Sequence, residues 1–134
     1  MAVRSSPGWS ARLTGSIRQE MPGILASSIK LVEDEAKRLV YLGHPDHLER
    51  QTGALQSSIT TEISTENGVV AASVGSSVVY APVHEFGAAI ADPRGFVRVI
   101  PPRPFLQPAF SARKEEVRDT VAGGLRAVIR EQAI

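Results

Sequence analysis

Cysteine is missing altogether from the 134 residues, which excludes disulfides and thiolate metal sites. Aromatic residues are scarce. One Trp, two Tyr and four Phe must carry a large share of whatever core or contact exists. No stretch approaches the roughly 20 apolar residues of a bilayer-spanning helix. Met1–Gly8 also lacks the apolar run of a signal peptide, so a soluble chain with no membrane partner is expected. Charge of one sign is lacking too: the net +1 at pH 7 leaves no strong footprint for nucleic acid or acidic lipid. Neither a Gly-x-Ser-x-Gly elbow nor a Walker pattern occurs, which removes the usual signatures of a serine nucleophile and of a phosphate cradle.

What is present fits one domain over residues 1–134, with 43% apolar and 22% charged residues, near globular averages and enough for one modest core. Residues 1–10, small, polar and interrupted by Pro7 and Gly8, read as a flexible arm. Leu13 and Ile17 suggest a short amphipathic turn that Met21-Pro22-Gly23 breaks. From Ile24 a long helix is predicted, with Leu25, Ile29, Val32, Ala36, Leu39 and Val40 on one face. The pairs Glu33–Lys37 and Asp34–Arg38 stand four apart, acid first, and the Glu33-Asp34-Glu35 run reads as a solvated face. Gly43 and Pro45 are stop signals, and a polar loop follows as far as Thr52.

Ile59, Thr61 and Ile63 alternate with polar residues as a half-buried strand does, and Val70, Ala72 and Val74 return as its partner. Asn67-Gly68 between them suits a type I′ turn. A third strand is expected at Phe96–Ile100, after turn residues Asp92-Pro93-Arg94-Gly95. The final helix places Phe110, Val117, Val121, Leu125, Val128 and Ile129 on one stripe, with Gly123-Gly124 as a bend or a close helix contact. The fold class is α+β: a long N-terminal helix and a C-terminal helix packed on a small antiparallel sheet. A sheet of three or four strands has edges that a neighbouring chain can extend.

Two segments stand out, Val79-Tyr80-Ala81-Pro82-Val83-His84-Glu85-Phe86-Gly87 and Pro101-Pro102-Arg103-Pro104-Phe105-Leu106-Gln107-Pro108-Ala109. Tyr80 and Phe86 are candidate anchors. Gly87 ends a helical turn where positive φ or a close backbone approach is convenient. The prolines make a stiff, extended lead-in to a helix that begins near Pro104 or Pro108. Glu85 is read either as a contact carboxylate or, in preference, as a local cap or one half of a salt bridge, with Arg103 a candidate partner. His44, His47 and His84 invite a zinc reading, but His44 and His47 flank a proline rather than sharing a helix face. No catalytic, cofactor or metal set is therefore assigned. Arg4, Arg12 and Arg18 along the first residues suggest contact with DNA or with a neighbouring subunit, against the plainer reading of a solvated arm.

Tyr80-Ala81, Glu85-Phe86-Gly87 and Arg103-Pro104-Phe105-Leu106-x-Pro108-Ala109 resemble a family of small tail-completion and head–tail joining proteins of tailed double-stranded DNA phages, related to the minor tail protein Z of lambda. Thr52-Gly53-Ala54-Leu55-Gln56-Ser57-Ser58-Ile59 is similar to the family's Thr-Gly-x-Leu-x-x-Ser-Ile, and the resemblance runs from about Leu25 to the C-terminus. Residues 88–100 form a longer link than the family's. The resemblance implies a structural virion protein at the neck or upper tail, assembled in the host cytoplasm. It implies a six-fold ring of this chain, with tail terminator, stopper or tail tube as neighbours and DNA passing through without specific binding. A tail terminator or head-closure stopper is the alternative within that class; a nucleic-acid-binding or metal-dependent module is the alternative outside it. Thr52, Gly53, Leu55, Tyr80, Glu85, Phe86, Gly87, Arg103, Pro104, Phe105 and Pro108 are expected to define the fold or the assembly motif. Arg4, Arg12, Arg18, Ala88, Asp92 and Arg94 are candidate partner contacts, within the N-terminal arm and the 88–95 insertion.

Overall fold

The computed structural model describes residues 8–42 and 49–132. Helix α1 (Trp9–Leu42) is followed by α2 (Glu49–Ser58), strands β1 (Ile59–Glu66) and β2 (Val69–Ser76), and the short helix α3 (Ala81–Phe86). Strands β3 (Ala88–Ala91) and β4 (Val97–Ile100) then lead to helix α4 (Leu106–Gln132). The class is α+β, with the two long helices and two small antiparallel sheets.

In α1 the apolar period becomes a buried stripe, Ile29, Val32, Ala36 and Val40, at steps of three and four. Leu55, Ile59, Ala81, Phe105 and Ala109 complete the same cluster, so every element from α1 to α4 except the β3–β4 hairpin supplies or packs against it. Helix α4 lies antiparallel along α1. Three contacts fix the direction: Trp9 Nε1 donates to the Gln132 carbonyl at 3.1 Å, Ile24 faces Gly124, and Arg113 reaches Glu35 at 3.3 Å. A Cβ on Gly124 would come within 2.8 Å of Ile24 Cγ2, whereas one on Gly123 would meet nothing within 4 Å. Of the two readings of that glycine pair, the close helix contact holds, and Gly124 makes it.

The β1–β2 hairpin pairs Ile59 with Ser76 through to Glu66 with Val69. Asn67 and Gly68 take φ of +52° and +77°, the positive pair that a type I′ turn demands. Ile63, Ala72 and Val74 pack towards the core, while Thr60, Glu62, Ser64 and Glu66 are exposed.

Several expectations are corrected. Pro22 does not end the first helix, because α1 runs through it. Proline in a helix interior costs about 3 kcal/mol or more. Here half-buried Ile17, Met21, Ile24 and Leu25, packing on both sides of the proline, hold the helix together. Residues 8–10 belong to no arm, since Trp9 opens α1 and is tied to α4. The polar stretch before Thr52 is helical from Glu49 onward. The strand at 97–100 joins no three-stranded sheet but pairs with β3 in a sheet of its own. In the acidic run only Asp34 is exposed. Glu35 is held by Arg38 and Arg113, and Glu33 by Lys30 at 2.7 Å and Lys37 at 3.6 Å. Asp34 meets Lys30 at 3.3 Å, not Arg38. On the α4 stripe Phe110 and Ile129 are exposed, while Val128 is buried.

Candidate functional site

The two motif segments meet at α3 and the start of α4, and the meeting is built almost wholly from backbone donors. Within Pro101-Pro102-Arg103-Pro104 only Arg103 owns an N–H, and it donates to the His84 carbonyl at 2.6 Å. The next residues open α4, whose first N–H groups have no partner inside the helix. Glu85 supplies those partners from 20 residues upstream. Its Oε2 accepts from Phe105 N at 2.8 Å and Leu106 N at 3.0 Å, and its Oε1 accepts from Gln107 N at 3.0 Å. Pro108 comes next and has no N–H to satisfy. Every donor of that helix start is thereby accounted for. Glu85 is buried, and its negative charge sits at the positive end of α4.

Around this clasp each motif residue has a distinct place. Phe105 is only 2% exposed and fills the core beside Ala81 and Ala109. Tyr80 precedes α3 and packs half-buried on the core, its ring edge-on to His84 at 5.8 Å. Burial, and after it the Arg103 charge, holds the His84 imidazole below its ordinary 6.5. Pro82 lies in the first turn of α3, where its ring is tolerated. Gly87 closes α3, its N–H donating to Val83 O at 2.8 Å. Its φ is +74°, and a Cβ there would lie 2.6 Å from the Ile100 carbonyl. Positive φ and close approach therefore both require glycine. Leu55, 1% exposed, anchors α2 in the core, and Gln56 Nε2 donates to the Lys37 carbonyl at 3.1 Å. Gly53 has open space around it. The side chain of Thr52 lies outside the described residues, as do Arg4, His44 and His47.

Phe86 departs from its expected role. It stands 78% exposed, because the turn at Gly87 leaves the last side chain of α3 facing outward, and it contributes nothing to the core. The 88–100 link is a hairpin rooted at Gly87, with Ala88 opposite Ile100 and Ala91 opposite Val97. Asp92 shapes its tip: Oδ1 accepts from Arg94 N at 2.8 Å and Phe96 N at 3.1 Å, a side-chain mimic of a backbone turn. Arg94 lies over the Phe96 ring at 5.8 Å. Arg12 and Arg18 lie on the first half of α1. Six residues apart, they point about 120° from each other around the helix and form no single stripe.

Sequence reasoning did not find Trp9, the Glu35–Arg113 link or the apolar groove between α1, β2, α3 and α4. The groove has a volume of about 620 Å³ and is lined by Ile29, Val32, Val74, Phe86, Leu106 and Phe110 among others. The sequence marks Phe86 by its motif and Phe110 by the stripe of the final helix, but nothing in it places the two on one groove. Among the described residues no group of three or more His, Asp or Glu is placed to hold a metal, and no helix is long and apolar enough to cross a membrane.

Residues 16–126 match the model of the phage virion morphogenesis family. No curated protein and no solved structure matches the chain. The match covers most of α1, both hairpins, the Glu85 clasp and α4 as far as Arg126, and on that extent the chain belongs to the phage virion morphogenesis family.

Proposed function

We propose that this protein is a structural subunit of a tailed phage virion that acts at the neck or upper tail, completing the tail and fastening it to the DNA-filled head. The observation that carries the reading is the pairing of a rigid motif with a bare apolar surface. Glu85, Gly87, Arg103 and Phe105 fix the angle at which the chain leaves α3 and enters α4. Phe86, Ile90, Phe96, Val97, Val99 and Phe110, each at least half exposed, cluster along the same stretch of chain. Exposed apolar surface beyond a few hundred Å² marks an interaction site in a soluble protein, and a virion morphogenesis protein has assembly as its use for one. The work is mechanical, and no catalytic step enters it. Subunits add to a symmetric platform as a ring, six-fold by the resemblance, with tail terminator, stopper and tail tube as neighbours. Several modest interfaces that must open together make such a joint durable.

Electron microscopy of a lysate from the parent phage, carrying an early stop codon in this gene, tests the reading. DNA-filled heads and finished tails lying separate, and joined when purified protein is added, are expected. Intact infectious particles would refute it. Overlong tails, or emptied heads beside normal tails, would move the role to a tail terminator or to a stopper.

A further inference from the structure

Among the described residues, two surfaces are left bare by the fold. The β3–β4 register puts Ala89, Ala91, Val97 and Val99 on one face of the hairpin, and Val97 and Val99 on it are 62% and 75% exposed. Among the described residues no other element packs extensively on this hairpin, and a two-stranded sheet without a covering layer is marginal in water. The second surface is the groove of about 620 Å³. Its lining includes no residue of the hairpin, so the chain does not fill it with its own β3–β4 unit. Val74, Gly75 and Ser76 all line the groove. Consecutive strand residues point to opposite faces, so the edge of β2 itself borders it. Among the described residues β2 pairs only with β1, and the other edge of such a strand offers N–H and C=O groups for pairing.

An apolar trough beside a free strand edge is the receptor for an added strand that has one apolar face, with edge hydrogen bonds giving affinity and alternate side chains filling the trough. The hairpin presents such a strand. The match is one of apolar surfaces: the Ala89/Ala91/Val97/Val99 face carries no charge, Arg98 lying with Ile90 on the other face, and among the described lining residues the one charged group, Glu85, has both carboxylate oxygens turned on the start of α4. We propose that the Ala89/Ala91/Val97/Val99 face of one copy seats in the groove of the next, adding a hairpin strand along β2 between Phe86 and Phe110. The contact is heterologous, hairpin to groove, and therefore propagates into a ring where the rotation closes. This rests on the assembly role proposed above and names the surface that performs it.

The cysteine-free sequence makes the test clean. Two single variants, Val99→Cys and Phe110→Cys, both at exposed positions, are mixed as full-length chains and oxidised mildly; Val69→Cys, at the tip of the other hairpin, replaces Phe110→Cys in the control mixture. The mixed disulfide dimer, joining position 99 of one chain to position 110 of the other, is expected in about tenfold excess over the control, the preference that about 1.4 kcal/mol of specific contact gives. Mixed dimers at the control level overturn the proposal. Predominant homodimers of the Val99→Cys variant overturn it too, since they report hairpin-to-hairpin pairing. Failure here with separated heads and tails in the stop-codon lysate would leave the joining role standing; specific cross-linking with normal particles would do the reverse.

Discussion

Replacing Glu85 tests whether a single carboxylate holds the start of α4. Glu85→Ala removes all three hydrogen bonds to Phe105, Leu106 and Gln107. A hydrogen bond to a charged group contributes roughly 1.5–3 kcal/mol, but the three share one carboxylate and are not additive. The loss is also softened because Glu85 and Gln107 border the groove, through which water reaches the freed N–H groups. A helix cap alone is worth roughly 0.5–2 kcal/mol, so the expected cost is about 2–4 kcal/mol. Glu85→Gln is the sharper probe. Its amide keeps one acceptor, which can serve Phe105 and Leu106 together, while its NH₂ is turned on the Gln107 N–H, donor against donor. That variant should lose about 1–2 kcal/mol. Urea denaturation followed by circular dichroism reads both values from the midpoint at constant slope. The order wild type, Gln, Ala is expected. A Gln variant as stable as wild type would show that neither the second acceptor nor the charge matters, and the clasp would be refuted.

Three further outcomes follow from burial, space and charge. Phe105→Ala should cost about 3–5 kcal/mol for a fully buried ring, while Phe86→Ala, on an exposed ring, should shift the unfolding midpoint by no more than about 0.5 kcal/mol; similar losses at both sites would contradict the burial assignments. Gly123→Ala should gain up to about 1 kcal/mol of helix propensity, whereas Gly124→Ala should lose stability as its Cβ meets Ile24; thermal melts that rank the two the other way would place the helix contact elsewhere. His84 is favoured neutral in the folded state, so its contribution is full above its ordinary 6.5 and is lost as pH falls through the depressed folded value. Wild type should therefore lose more stability than His84→Gln between about pH 7.5 and pH 5, and parallel pH profiles in denaturant would disprove a half-buried imidazole held neutral.

Local chemistry made part of this fold legible. Asn67-Gly68 could be placed because a two-residue turn demands two positive φ values, and the second half of α1 because its apolar residues keep the helical period. Gly87 could be read for the same reason as the turn. The rest depends on residues far apart in the chain. Pro22 reads as a breaker until α4 is known to pack along both sides of it. The burial of Glu35 needs Arg113, 78 residues away. The Glu85 cap acts across 20 residues, so no local capping pattern announces it, although a carboxylate ahead of a proline-led helix start was a fair hint. Helix α2 escaped notice because it is short and polar, with Leu55 as its one buried apolar anchor among the described side chains. Phe86 is the opposite case: a scarce aromatic suggests a core or a contact, and only the geometry at Gly87, which turns it outward, decides against the core.

The role of the bare apolar surface is tested most directly by joining heads to tails with a protein whose fold is intact and whose hairpin face is spoiled. The double variant Val97→Asp/Val99→Asp, added to the stop-codon lysate beside wild type, should unfold at the wild-type midpoint, since the two positions are 62% and 75% exposed, yet leave heads and tails apart. Joined, infectious particles from that variant at the wild-type yield would show that the hairpin face takes no part in assembly.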